Sequence, residues 1–212
     1  MIAVIDVSGN NLTSLGNALK QLGYNYQLTH NAKIIKSASH VIIPGVGAAK
    51  AGMQALHDYN LAAVIKALKQ PVLGICLGMQ LLLDYSEEGN VECLGLIPGI
   101  AKRLPQQLGY PVPHMGWNTL EWVNNSPLKV ELKDNDYVYF VHSFALLDST
   151  DTVAYCQYNL KFSAIVKRAN FYGMQFHPEK SSTVGLCLLR NFLSMQFDAA
   201  NVGVLNETYS CD

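Results

Sequence analysis

Pro71-Val72-Leu73-Gly74-Ile75-Cys76-Leu77-Gly78-Met79-Gln80 reads as a short apolar strand that delivers one cysteine into a tight turn before a helix. Gly74 and Gly78 flank Cys76 at the spacing Gly-x-Cys-x-Gly. That spacing matches a nucleophile elbow, in which small neighbours allow a strained strand-to-helix turn and hold the nucleophile clear of a sheet. The helix is expected to run from Leu77 to Tyr85, and its first N–H groups and dipole favour thiolate, the nucleophilic form, over thiol. Cys93, Cys156 and Cys187 lack glycine brackets and read as small buried cysteines.

Upstream of this stretch the chain alternates strand and helix. Ile2 to Asp6 is an apolar run ending in an acid, as expected for a strand of a buried parallel sheet. Leu12, Leu15, Leu19 and Leu22 recur at helical spacing, with Asn10 or Asn11 as cap and Gly23 at the C-terminal left-handed position. Tyr24 to Leu28 and His40 to Ile43 read as strands around a helical turn at Ala32 to Ser37. Pro44-Gly45-Val46-Gly47 then forms a loop able to approach a ligand closely, although Pro-Gly after a strand is commonly only a turn. Helices are expected over Ala48 to Leu56 and Asn60 to Lys69.

Downstream of the polar break Ser86-Glu87-Glu88-Gly89-Asn90, short strand patterns follow with few helices between them: Ile100 to Leu104, Met115 to Trp117, Tyr137 to Val141, Thr152 to Tyr158, Ala164 to Lys167 and Phe171 to Gln175. Ser182 is expected to cap a last helix through Val184, Leu188, Leu189 and Phe192. The expected architecture is α/β: an open, mostly parallel twisted sheet with helices on both faces and added antiparallel strands. One domain over 1–196 and a polar, poorly ordered tail over 197–212 complete the expected organisation.

Composition narrows the function. Fifteen Lys and Arg against sixteen Asp and Glu give a net charge of −1, so nothing electrostatic points to nucleic acid or an anionic membrane. The ligand is expected to be a small molecule or another protein. Five cysteines without CxxC or Cys/His spacing support neither a disulfide framework nor a zinc site, so no metal is expected and a reducing cytoplasm fits best. Ile2-Ala3-Val4-Ile5-Asp6 follows the first residue directly, without a basic n-region or a spanning apolar segment.

A nucleophilic cysteine needs a base and an orienting group, which folding can bring from far away in sequence. Phe176-His177-Pro178-Glu179 offers both. A residue before proline is extended, and in an extended chain positions two apart face one way, so Glu179 can hold the His177 imidazole. Each histidine taken singly has a structural or surface role as its commoner fate, and His30, His40 and His57 are read so. Oxyanion donors would come from the Leu77 N–H and from the Pro44–Gly47 loop. Together these residues point to acyl transfer through a thioester, without naming the acyl group.

Gly74-Ile75-Cys76-Leu77-Gly78-Met79-Gln80 together with Gln175-Phe176-His177-Pro178-Glu179-Lys180 closely resembles the class I glutamine amidotransferases. The strings Pro44-Gly45-Val46-Gly47, Pro113-His114-Met115-Gly116-Trp117-Asn118 and Tyr139-Phe140-Val141-His142-Ser143 narrow the resemblance to one branch. Its members feed ammonia through a tunnel to a separate (β/α)8-barrel cyclase subunit that makes imidazole glycerol phosphate in histidine biosynthesis. The resemblance runs from Ile2 to about Met195 and implies a flavodoxin-like sheet, glutamine as substrate and no cofactor.

By matching position it implies Cys76 as nucleophile, His177 as base and acid, Glu179 as orienting carboxylate, and Val46 and Leu77 as oxyanion donors. Gln80 and Glu88 match positions that hold the charged ends of glutamine, with Gly47, Ser143 and Phe144 completing the pocket. Asn11, Trp117, Tyr139 and Lys180 match the face toward the cyclase, although Trp117 can equally be core and Tyr139 a strand-packing residue. Val7-Ser8-Gly9-Asn10-Asn11 departs from the glycines common in the family's first turn, and Phe144 stands where tyrosine is frequent. A different acceptor synthase, such as one for surface-polysaccharide sugars, and a catalytically silent regulatory subunit are the alternatives. A Cys peptidase of similar fold suits Gln80 and Glu88 less well.

Overall fold

A computed structural model of the chain describes residues 1–6, 12–45, 47–123 and 125–195. The expected cap at Asn10 or Asn11, the partner residue Asn11, the oxyanion residue Val46 and the tail over 197–212 lie outside the described residues.

Strand and helix alternate as expected through β1 (Ile2–Ile5), α1 (Thr13–Gln21), β2 (Tyr26–Thr29), α2 (Ala32–Ser37), β3 (His40–Ile43), α3 (Ala49–Asp58), α4 (Ala62–Lys66), β4 (Val72–Ile75) and α5 (Leu77–Leu81). The second half is rich in strands: β5 (Tyr85–Ser86), β6 (Val91–Glu92), β7 (Ile100–Arg103), β8 (His114–Thr119), β9 (Glu121–Trp122), β10 (Tyr137–His142), β11 (Phe144–Leu146), β12 (Thr152–Gln157), β13 (Lys161–Arg168) and β14 (Phe171–Met174). Helix α6 (Ser182–Leu193) follows. Among the described residues the main sheet runs β2-β1-β3-β4-β14-β13-β12-β9. Pairing is parallel from β2 to β14 and antiparallel from there to β9. A β10-β8 ribbon and a β11-β7-β5-β6 sheet are built beside it.

β1, β3, β4 and β14 are buried at every position, because helices cover both faces of a parallel sheet. Successive side chains feed opposite cores. Ile2 and Val4 pack with Leu15 and Leu19 of α1 and Leu188 and Phe192 of α6, whereas Ala3 and Ile5 pack with Ile35, Met53, Leu56 and Ile65 of α2 to α4. Helix α1 ends as its sequence requires. Gly23 takes φ +81°, and the Gly23 and Tyr24 N–H groups bond back to the Lys20 and Leu19 carbonyls.

Three local expectations are corrected. The helix expected from Leu77 to Tyr85 stops at Leu81, and Tyr85 opens β5. The carbonyls of Leu81, Leu82 and Leu83 are taken by N–H groups of residues 94–97, which leaves them unavailable to a continuing helix. Helix α4 covers only Ala62–Lys66, although Leu61 and Leu68 beyond its ends are still buried. Ser182 does not cap α6; it is the first helical residue, and the Ser181 hydroxyl at the cap position donates to the His177 carbonyl instead.

β3, β4 and β14 are adjacent and parallel, so their carboxyl ends meet at one edge, the place where open α/β sheets bind ligands. Close backbone approach at this edge requires glycine. A Cβ on Gly78 would land on the Ile43 carbonyl oxygen, and one on Gly45 would strike the Ile75 carbonyl and the Leu77 amide nitrogen. Gly78→Ala is expected to cost about 3 kcal/mol, because the obstructing atom is backbone and cannot rotate away. Thermal unfolding should show a midpoint lowered by roughly 10 °C; an unchanged midpoint would mean that β3 and α5 can separate freely.

Candidate active site

Cys76 follows the last residue of β4 and adopts φ 51°, ψ −107°, a left-handed conformation unusual for a residue with a side chain. Such strain costs on the order of 1–3 kcal/mol and persists only where the surroundings enforce it. Here the Cys76 N–H donates to the Met174 carbonyl at 2.7 Å and its carbonyl accepts the Gln80 N–H at 3.2 Å. The elbow read from Gly-x-Cys-x-Gly is therefore present. Leu77 is the first helical residue, where an N–H has no intrahelical acceptor.

His177 and Glu179 come to the same site from the end of β14. His177 Nδ1 lies 2.8 Å from Glu179 Oε1, and both side chains are at least nine-tenths buried. His177 is extended as expected, at φ −99° and ψ 97°. Glu179, however, reaches it from a 3-10 turn over Pro178–Lys180 and not along an extended chain. Ser181 secures this turn, donating to the His177 carbonyl at 2.7 Å and accepting the Tyr139 N–H at 2.9 Å, while the Tyr139 carbonyl accepts the His177 N–H at 2.9 Å. Burial by itself depresses the His177 pKa, but hydrogen bonding and charge from Cys76 and Glu179 outweigh it and raise the value to about 10. Elsewhere burial pushes the Cys93 thiol up to about 11 and raises that of Cys156 further. Cys156 is buried as expected, whereas Cys93 and Cys187 are only partly buried.

A cavity of about 220 Å³ opens over the sulfur, with Gly47, Gln80, Glu88, Ser143 and Phe144 in its wall beside Cys76 and Leu77. Of the residues assigned to the substrate pocket from sequence, all five are brought together. Glu88 also has a role that the sequence did not show: one carboxylate oxygen accepts the Ala49 N–H at 2.9 Å at the start of α3, where no side-chain cap is present. A smaller cavity, about 100 Å³, lies on the other side of His177 and Glu179 and reaches Lys180. Glu179 Oε2 is buried without a hydrogen-bond partner among the described residues. A larger cavity of about 820 Å³ near His40, Lys69 and Met195 is remote from these groups. No cluster of three or more metal-ligating side chains is present among the described residues, and none of their helices is long and apolar enough to cross a membrane.

The remaining predicted residues divide between two places. Trp117 and Tyr139 are cross-strand partners on the β8-β10 ribbon, with ring centroids 5.9 Å apart. Trp117 is 52% exposed, so it is not core, and Met115 and Tyr137 beside it are exposed as well. Lys180 is exposed and follows Glu179 directly. Three buried residues near the sulfur had no assigned role. Gln175 Nε2 donates to Cys76 Sγ at 3.7 Å, and His142 and His114 bond to each other at 3.1 Å. Their signal was their position at buried places of the quoted strings, where polar side chains require partners. Of the histidines read as structural, His40 is buried and bonds the Met195 carbonyl, and His30 stacks on Tyr59.

The glutamine amidotransferase class-I family matches residues 3–195. The chain is 61% identical over 196 residues to imidazole glycerol phosphate synthase subunit HisH 2 of Legionella pneumophila strain Philadelphia 1, covering 92% of this chain and 98% of that one. It is 50% identical over 193 residues to subunit HisH of Pasteurella multocida strain Pm70, covering 91% and 96%. A solved glutamine amidotransferase superposes with TM-score 0.69 at 17% identity over 91% of this chain and 96% of that one, and a glutamine amidotransferase from Thermotoga maritima with 0.59 at 16% over 91% and 95%. Those two share the fold. The chain belongs to the class I glutamine amidotransferase family, and within it stands with the HisH subunits. It is thus an enzyme of the glutaminase type.

The buried imidazoles predict a pH dependence of stability. Burial is the main cause that lowers His142 to about 3 and His114 to about 4, and it also lowers His40. Between pH 6.5 and about 4 the unfolded chain binds more protons at these groups than the folded chain does, so stability falls as pH drops. The loss is up to about 1.4 kcal/mol per pH unit for each such group. His177, with its raised value, is protonated in both states below pH 6.5 and adds no slope there. Between pH 6.5 and 5 the unfolding midpoint is expected to drop by several degrees; a flat midpoint would show that these histidines are not held neutral.

Proposed function

We propose that this chain hydrolyses glutamine to glutamate and ammonia through a cysteinyl thioester. The observation that carries this reading is the convergence of the Cys76 elbow and the His177–Glu179 pair on one cavity sized for a free amino acid. Cys76 Sγ, with the shared proton already on His177, attacks the side-chain amide carbon. The oxyanion formed is met by the Leu77 N–H and, by family resemblance, by Val46. His177 then protonates the leaving nitrogen, the C–N bond breaks and ammonia departs. Water attacks the thioester with His177 as base, the C–S bond breaks, and glutamate leaves with the thiol restored. Glu179 holds the imidazole in one tautomer and stabilises its charge. Glu88 and the side-chain oxygen of Gln80 receive the ammonium end of glutamine, with the backbone at Gly47, Ser143 and Phe144 completing the pocket at its carboxylate end.

The HisH relatives support a place for the chain as the glutaminase subunit of a cytoplasmic imidazole glycerol phosphate synthase of histidine biosynthesis. In this reading ammonia passes to a (β/α)8-barrel cyclase partner by a tunnel that opens at the cavity between Glu179 and Lys180. Trp117, Tyr139, Lys180 and Asn11 face that partner, with the exposed side chains of Met115 and Tyr137 extending the apolar contact.

Glutamate release should be slow for this chain alone and strongly stimulated by a cyclase subunit carrying its nucleotide ligand. Cys76→Ala should lower it by at least about 10³-fold. Stimulation surviving Cys76→Ala would overturn the nucleophile assignment, and a reactive Cys76 without stimulation would point to a different acceptor synthase. Trp117→Ala should weaken partner binding about tenfold or more, read as Kd by titration calorimetry; an unchanged Kd would place the interface elsewhere.

A further inference from the structure

A polar chain runs from β8 to the nucleophile, and its direction is set by one carbonyl. Phe144 O can only accept, so Gln80 must present its amide NH2 there, at 2.9 Å. The other hydrogen of that NH2 meets Gln175 Oε1 at 3.2 Å. Gln175 therefore turns its own NH2 toward Cys76 Sγ, at 3.7 Å. His142 Nδ1 also bonds Phe144 O, at 2.9 Å, so this nitrogen carries the proton and Nε2 is the acceptor for His114 Nδ1–H at 3.1 Å. Asn118 Nδ2 approaches His114 Nε2 at 3.4 Å. Gln175 is fully buried and Gln80 nearly so, and the Gln175 N–H is tied to the Ala164 carbonyl at 2.9 Å.

We propose that Gln175 is a further catalytic residue whose side-chain N–H stabilises negative charge on Cys76 Sγ, with Gln80, His142 and His114 as positioning residues that aim it. The proposal rests on the reading of Cys76 as the glutaminase nucleophile. In the thiol form, Sγ donates to the Val141 carbonyl at 3.7 Å. With the proton on His177 instead, the Val141 bond is absent, and a carbonyl oxygen faces a negative sulfur. The Gln175 N–H is a donor that remains and strengthens, because hydrogen bonds to an ionised acceptor are stronger than neutral ones. The charged or titratable groups around the sulfur are His177 backed by Glu179 after β14, His142 on β10, and Glu88 across the cavity. His142 stays neutral because of its burial, so it adds no charge that would replace the donor.

The test is alkylation of Cys76 by iodoacetamide at pH 7 in the full chain, followed by peptide mass analysis. Gln175→Met, which keeps length and loses the N–H, and the isosteric Gln175→Glu are each expected to slow it about tenfold. His142→Phe should slow it about threefold by loosening the Phe144 carbonyl that orients the Gln80 amide. Loosened packing would act in the opposite sense, since Cys76 is only 8% exposed and greater access speeds alkylation. Rates equal to or above that of the unmodified chain overturn the proposal. Should the variants fail to fold, imidazole nitrogen chemical shifts in the unmodified chain decide it. A proton on His142 Nδ1 and a bare Nε2 are expected, and the opposite tautomer overturns the network. Glutamate release is measured in parallel. If the unmodified chain with a cyclase hydrolyses no glutamine yet Gln175→Met slows alkylation, the glutaminase reading falls and the donor stands.

Discussion

The contact between the Gly78 backbone and the Ile43 carbonyl is the constraint on which the site depends. It lets α5 begin directly behind the end of β3, which forces the chain through a left-handed Cys76 and points the sulfur out of the sheet edge. Gly45 completes the same wedge by closing on Ile75 and Leu77. A side chain at either position would push the end of β3 and the elbow apart. The strain at Cys76 is thus offset by backbone packing among three parallel strands, whose buried pairing resists local relaxation.

Charge in the site is divided by environment. His177 and Glu179 form a buried pair in which protonated imidazole is favoured, whereas His142 and His114, a short distance away, are held neutral by burial. Groups of one chemical type displaced in opposite directions mark a site where protonation states matter. The neutral pair also ties β8 and β10 to the turn at Ser143 and Phe144, so the outer ribbon and the inner pocket share a hydrogen-bond network. On the same ribbon, Trp117 and Met115 present the opposite, exposed face.

The strand and helix rhythm through Gln80 was legible because each element carries its own period and its own stop, as at Gly23. The helix over Leu77 to Tyr85 was misread because apolar side chains alone do not show which donors take the carbonyls of Leu81 to Leu83. Residues 94–97 take them, and no local pattern announces that. The extended geometry expected around His177 and Glu179 likewise yielded to a 3-10 turn held by Ser181. β9, only two residues long, carried too little pattern to be read.

The amino-acid sequence alone determined the elbow, the identity of the Cys, His and Glu, and the parallel, two-faced sheet. These rest on glycine spacing, side-chain chemistry and apolar runs, all of which are local properties. Tertiary structure decided which nitrogen and which oxygen meet, that Glu88 serves the start of α3, and that Gln175 aims its amide at the sulfur. Those facts are relations between residues far apart in the chain. They become definite only when β3, β4, β10 and β14 are placed side by side and burial obliges every polar group to find a partner.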